Sequence, residues 1–410
     1  MNIIGEHNIM ATIEKYLEKG FHKQTDFYDK YGTGLPPIPF FSLSKQNQKI
    51  KENILDGISG VIDESDFING KPISEFENKF GKWLESLSLA YPLPIHVIGT
   101  SSGTMSLIVS LKCLDIGQGD EVIIPNNGYV ADAAAVISVG ATPVFCDIDP
   151  LTCQLDINSV SCKLSEKTKA IIAIHMHGSV CDVLKLKTFG LPVIEDCAQA
   201  HGAVYDNHSV ACWTDDQIGC FSFYPSKTLG AMGDAGAIVT TSEEYANKIR
   251  TMVNQGQSER NSFVEFPFSA RMNTFQSIVL NEKLKYIDEY IKLRREIMTI
   301  YDENLPHKTF RQPKTFNRVG CSPYVYVIAP VESNKYKDRL KNNKIGFSEH
   351  YSYTLHDLKP FKKYYKPLHY LPSDLSVSIR MRERVLSLPL YPEMLKEDVY
   401  RVCEVLNRSV

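Results

Sequence analysis

Three stretches of this sequence carry groups able to do chemistry together. In "FYPSKTLGAMGDAG", residues 223–236, Lys227 stands between an aromatic run and a glycine-rich stretch. A lysine just beyond a strand, near another cation or partly desolvated, can act as nucleophile or base. "LPVIEDCAQAHGA" sets Glu195 and Asp196 at the end of an apolar run, the edge at which open α/β sheets bind ligands. Strand side chains alternate between faces, so at most one of the two carboxylates enters a given crevice. A carboxylate there favours the protonated form of a ring nitrogen beside it. "GTSSGTMSLIVSLKCL" places small and hydroxylated residues before a helix starting near Gly103, where free backbone N–H groups suit a phosphate. No GK[ST] follows, so this is not a Walker A loop. Singly, each stretch has a plainer reading: a solvated lysine, a salt bridge, a helix cap. Together and in this order they are the parts a pyridoxal phosphate enzyme needs: a Schiff-base lysine, an acid for the pyridinium nitrogen and a phosphate cradle.

The elements that must position these groups follow from the apolar pattern. From about Ile95, short β-branched runs ("HVIGT", "EVIIP", "PVFCDID", "AIIAIHM", "LPVIED", "CFSFY", "AIVTT") alternate with segments of helix composition. That alternation predicts an α/β fold with a mostly parallel sheet, and the near-continuous apolar strands predict cover on both faces. "NEKLKYIDEYIKLRREIMTIYDENL" repeats apolar residues at helical spacing and is expected to be one long helix joining two domains. The strand "YVYVIAPV", a helix over "YKDRLKNNKIG" and a terminal helix over "KEDVYRVCEVLNRS" suggest a smaller α+β domain. The expected organisation is an N-terminal extension over 1–35, a large domain over 36–275, and the linking helix with the small C-terminal domain over 276–410.

The 45 basic and 48 acidic residues leave a net charge of -3 with no basic stripe, which excludes a nucleic-acid binder. The opening "MNIIGEHNIM" has neither a basic n-region nor an apolar h-region, and no run reaches the roughly 20 apolar residues of a membrane span; no membrane partner and a cytoplasmic location are expected. The ten cysteines are scattered without CxxC spacing, so they read as reduced thiols, and no metal is expected.

From roughly Pro39 onward the chain resembles the DegT/DnrJ/EryC1/StrS sugar aminotransferases, which have the fold type I architecture. The likeness rests on "FINGKPISEFENKF", "GTSSGTMSL", "GDEVIIPNNGYVADAAAVISVGATPVFCDID", "HMHG", "IEDCAQAHGA" and "SFYPSKTLGAMGDAGAIVTT", in the family's order. The resemblance implies that Lys227 forms the Schiff base and Asp196 partners the pyridinium nitrogen. It places Gln199 near the cofactor's phenolic oxygen, Tyr129 on the pyridine ring, and Gly103, Thr104 and Ser222 at the phosphate. "SEHYSYTLH" resembles the segment beside the sugar nucleotide, making His350 and Tyr351 substrate candidates, or simply part of a polar strand edge. Two positions depart from the pattern. Ser269 stands where the family has an asparagine that reaches the phosphate across the dimer, and Ala235 where it has a glycine.

The resemblance implies transfer of an amino group, from glutamate, to a keto group of a nucleotide-linked deoxysugar, with 3-keto slightly preferred to 4-keto, by a homodimer with shared active sites. Two alternatives stay open. One is the same chemistry on a cyclic ketone such as a keto-inositol; the other is a cofactor-binding regulator that does not turn over.

Overall fold

A computed structural model describes residues 36–88, 94–212, 214–310, 320–365 and 374–408; the extension expected over 1–35 lies outside them. The seven apolar runs form one sheet: β1 (His96–Thr100), β2 (Glu121–Pro125), β3 (Thr142–Cys146), β4 (Thr168–Ile174), β5 (Val193–Asp196), β6 (Ile218–Ser222) and β7 (Gly236–Thr240). Their order is β1-β7-β6-β5-β4-β2-β3. Only β7 runs against its neighbours, pairing antiparallel with both β1 and β6, while the remaining pairs are parallel. The sheet is therefore mostly parallel, as expected.

The alternation of strand side chains explains the two cores. Ile123 and Ile171 join Phe221 and Val239 in one apolar cluster, whereas Val122, Ile124, Ile172 and Ile238 join the cluster on the opposite face. Both faces are dry, which is why the strands read as nearly continuous apolar runs. Helix α1 (Ser44–Glu64) packs Ile50 and Ile54 on Val279 in a separate cluster, while α2 (Lys71–Leu87), α3 (Gly103–Cys113) and α4 (Val130–Ser138) supply cover. Ile73, Phe76, Phe80 and Leu84 of α2 recur at helical spacing and enter the first cluster, where the Phe80 ring meets Phe221 edge-on at 5.2 Å. Leu107 and Leu111 of α3, with Ala133 and Val136 of α4, enter the second.

The long helix expected over 281–305 is two helices, α5 (Thr274–Leu284) and α6 (Ile287–Asn304). Lys285 N–H and Tyr286 N–H bond back three residues, to Glu282 and Lys283, a tightened turn that ends α5; Asp288 and Glu289 then start α6 favourably with respect to its dipole. The joining role passes to α6. Its Ile287 and Ile291 pack in the sheet's first core, while Ile297, Ile300 and Tyr301 pack with β8 (Tyr326–Ile328), β9 (Leu386–Leu388) and α7 (Lys396–Asn407) in a separate cluster.

One contact between these parts demands a glycine. Gly178 has φ +90°, and a Cβ there would lie 1.8 Å from the Ser322 carbonyl oxygen. The close approach lets Ser322 N–H donate to Gly178 and Tyr324 N–H donate to His177, which seats Tyr324. Gly178→Ala is expected to lower stability by at least about 1–3 kcal/mol, the cost of the backbone conformation alone. Urea unfolding of the full chain checks it; an unchanged midpoint refutes the requirement.

Candidate active site

The first-turn N–H groups of α3, those of Gly103 and Thr104, have no partner within the helix. Ser102 caps the helix by accepting the Met105 N–H at 3.2 Å. The ends of β6 and β7 lie close against this turn. A Cβ on Gly103 would stand 2.7 Å from Ser222 Cβ, and one on Gly236 would stand 2.5 Å from the Ser102 carbonyl carbon. Glycine at both positions keeps open a cradle of backbone N–H and Ser/Thr hydroxyls that could hold a phosphate.

At the end of β5 the two neighbouring acids part, as strand alternation requires. Asp196 lines a cavity of ≈ 380 Å³ and accepts the Ala198 N–H at 2.9 Å. Burial raises its proton affinity against the opposing pull of that N–H and of Lys227. Glu195 turns the other way, 2.6 Å from His175 Nε2, and accepts the Ala211 N–H. His175 Nδ1 accepts the Cys181 N–H, so Nε2 carries the proton and donates to Glu195. His175, Glu195 and Cys197 could together reach one ion, their ligand atoms lying within 4.8 Å of one another, but both ring nitrogens are already engaged. Glu195→Ala, which strands a buried imidazole N–H and an amide N–H, is expected to cost about 2–5 kcal/mol. Thermal unfolding reads this, with Glu195→Gln less affected.

Lys227 follows β6 in a turn closed by its own N–H donating to the Tyr224 carbonyl. Its Nζ lies 4.7 Å from the centre of the Tyr324 ring, and the neighbouring Ser226 hydroxyl is 3.3 Å from the Tyr324 phenol. Gln199 is oriented at both ends: Oε1 accepts the His177 N–H at 2.8 Å, and Nε2 donates to the Tyr351 phenol at 3.0 Å. Tyr129 stands exposed before α4, its ring 6.1 Å from that of Tyr351. His350 has Nδ1 2.8 Å from Ser387 Oγ and its ring stacks on Phe40. Burial, with His177 and Lys227 nearby, pushes its pKa down to about 3, leaving it a neutral polar group.

The cavity thus gathers Gly103, Thr104, Tyr129, Asp196, Gln199, Ser222, Lys227, His350 and Tyr351, together with Tyr324 and Ala235. Ser269 stays outside. It is exposed and pairs with Asn254, because its segment crosses the end of β1, where Thr100 bridges to Arg271, away from the cavity of its own chain. Ala235 has no positive φ, so the backbone there does not require a glycine. Two residues of the site carried no sequence signal of their own. Tyr324 opens an ordinary-looking strand segment, and Asp132 reads as a favourable acid in the first turn of a helix.

Comparison with known proteins was made against this geometry. The DegT/DnrJ/EryC1/StrS aminotransferase family model matches residues 48–407. The UDP-N-acetyl-3-dehydro-alpha-D-glucosamine 3-aminotransferase of Acidithiobacillus ferrooxidans is 32% identical over 377 residues, 91% of this chain and 98% of that protein. The dTDP-3-amino-3,6-dideoxy-alpha-D-galactopyranose transaminase of Aneurinibacillus thermoaerophilus is 32% identical over 375 residues, 90% of this chain and 99% of the other. The solved structure of S. venezuelae DesV in complex with ketimine intermediate superposes with a TM-score of 0.83 at 27% identity, over 92% of this chain and 100% of that one.

Proposed function

This chain belongs to the DegT/DnrJ/EryC1/StrS aminotransferase family, and we propose that it moves an amino group from glutamate to a keto carbon of a nucleotide-linked deoxysugar. It is an aminotransferase whose cofactor is pyridoxal 5'-phosphate, and the residues present fit that group. The cradle that a Cβ on Gly103 or Gly236 would fill suits the phosphate, and Asp196 at the cavity wall suits the ring nitrogen. When bound, the cofactor supplies an electron sink for the carbanion formed beside the transferred nitrogen.

The chain's own residues do the rest. Lys227 would anchor the cofactor through Nζ and, when free, would carry the proton from the donor's α-carbon to the cofactor and, in the second half, from the cofactor to the sugar carbon that receives nitrogen. Asp196 keeps the ring nitrogen protonated through its charge. Gly103 and Thr104 N–H, with the Ser222 hydroxyl, hold the phosphate. Gln199 Nε2 would donate to the phenolic oxygen, and Tyr129 would stack on the ring. His350 and Tyr351, with Tyr324, line the part of the cavity left for the sugar. The observation that carries this reading is the convergence of Lys227 and Asp196, from two strand ends, on one cavity that a helix N-terminus also lines.

Both curated relatives are named for chemistry at the 3-position, which supports 3-keto ahead of 4-keto. Turnover of a panel of 3-keto and 4-keto nucleotide sugars and a keto-inositol with glutamate, read by mass, tests it. An aminated 3-keto sugar is the expected product; amination of the keto-inositol alone, or of nothing in the panel, overturns the proposal. We read the assembly as a homodimer with shared sites, supported by the exposed apolar side chains of Phe67, Ile68, Phe263, Val264 and Phe266. Ser269, exposed on the same segment as the last three, would take the cross-subunit phosphate contact. Among the described residues no helix is long and apolar enough to cross a membrane. The ten cysteines are scattered without CxxC spacing, and we read the location as cytoplasmic.

A further inference from the structure

Asp132 is the buried group that the chemistry above does not use. It sits in the first turn of α4 with no exposed surface, and among the described residues neither carboxyl oxygen accepts a hydrogen bond from another residue's N–H or hydroxyl, its own backbone N–H being the one donor beside it. What faces it is the carboxyl of Asp196: the point where a Cβ on Gly128 would stand is 3.5 Å from Asp132 Oδ2 and 2.6 Å from Ile174 Cδ1, and Ile174 is paired with Asp196 in the sheet. Two carboxylates facing each other and out of water cannot both be charged, so such a pair holds one proton between them.

The surroundings decide which acid holds it. Asp196 accepts the Ala198 N–H at 2.9 Å and is favoured as an anion by Lys227. The α4 dipole favours an anion at Asp132 by about 0.3–1 kcal/mol, less than the roughly 1.5–3 kcal/mol of a hydrogen bond to a charged group. We propose that Asp132 is a neutral carboxylic acid that donates a hydrogen bond to the Asp196 carboxylate, holding that carboxylate in place and tempering its charge toward the cofactor's ring nitrogen. Asp132 is thus a positioning residue, acting on the ring only through Asp196.

Burial and the Asp196 carboxylate both raise the proton affinity of Asp132, with its own backbone N–H and Lys227 opposing. The other titratable groups facing the pair are Cys220 on β6 and Tyr351 and Tyr353 of the segment beyond β8, together with His175 behind Asp196. A raised folded-state value means that the folded chain holds a proton the unfolded chain has released. Stability from this group is complete below the ordinary carboxylate pKa and is lost as pH rises through the folded value. Asn at 132 still donates an N–H to Asp196 but has no proton to lose.

The test uses the full-length enzyme as purified. The infrared difference between wild type and Asp132→Asn at neutral pH is expected to show a carboxylic-acid carbonyl band that shifts in deuterium oxide. Carboxylate bands in its place overturn the proposal. The cofactor's visible spectrum and the thermal midpoint, each followed against pH, are expected to lose in Asp132→Asn an alkaline step present in wild type; superimposable profiles also overturn it. If the asparagine variant fails to fold, Asp132→Ser, which keeps a hydroxyl donor in a smaller side chain, takes its place in both measurements. The infrared result stands whatever the keto substrate proves to be.

Discussion

Lys227→Ala is expected to reduce turnover by at least about 10⁴-fold, because the variant loses both the covalent anchor and the group that carries the proton. Lys227 is the only amine among the described residues that line the cavity. Its location is set on two sides, by the turn hydrogen bond from its own N–H to Tyr224 and by the Tyr324 ring beneath its Nζ. Neither restraint belongs to the core, so removing the side chain is expected to leave the unfolding midpoint nearly unchanged. Single-turnover rates with glutamate, measured beside far-ultraviolet circular dichroism, separate loss of chemistry from loss of fold. Partial recovery with a small external amine is expected in the alanine variant, since the space vacated lies in the cavity. Turnover within tenfold of wild type would remove Lys227 from the chemistry altogether.

Asp196→Asn is expected to cost about 10²–10³-fold, the range for removing one preorganised electrostatic group. Asparagine preserves the size and can still accept the Ala198 N–H, but it cannot hold a ring nitrogen protonated by charge. The loss should therefore fall on the chemical rate more than on retention of the cofactor, which the phosphate cradle at the other end of the cavity still holds. The pH profile has a fixed sign. Asp196 must be anionic, and burial raises its pKa above the ordinary carboxylate value, so activity should fall on acidification earlier than an exposed aspartate would dictate. Disappearance of that acid limb in Asp196→Asn is the result expected, and an acid limb unchanged in the variant assigns it to another group.

Much of this site was legible before any coordinates. Lys227 and Asp196 sit at the ends of strands whose apolar runs are local, and Gly103 sits where a strand yields to a helix, so their positions follow from short-range pattern. Asp132 was not legible, because an acid in the first turn of a helix is ordinary there and its meaning comes only from the carboxyl facing it. Tyr324 is similar. Its place under Lys227 depends on Gly178 admitting the Ser322 carbonyl and on Arg294 donating to the Tyr324 carbonyl at 3.1 Å, contacts between segments far apart in the chain. The break at Lys285–Tyr286 escaped the periodicity because the apolar spacing continues across it.

The sequence by itself determined the order of strands and helices, the dryness of both sheet faces and the presence of a lysine, an acid and a helix start at strand ends. Those are consequences of local periodicity, backbone propensity and turn chemistry. Tertiary structure decided that β7 lies between β1 and β6, bringing Gly236 against Ser102 and Gly103, and that Asp196 rather than Glu195 enters the cavity. It also decided that Asp132 shares that acid's surroundings. Each of these depends on strand order and on which face of the sheet a given helix covers, quantities fixed by packing across the whole core rather than by any short stretch of chain.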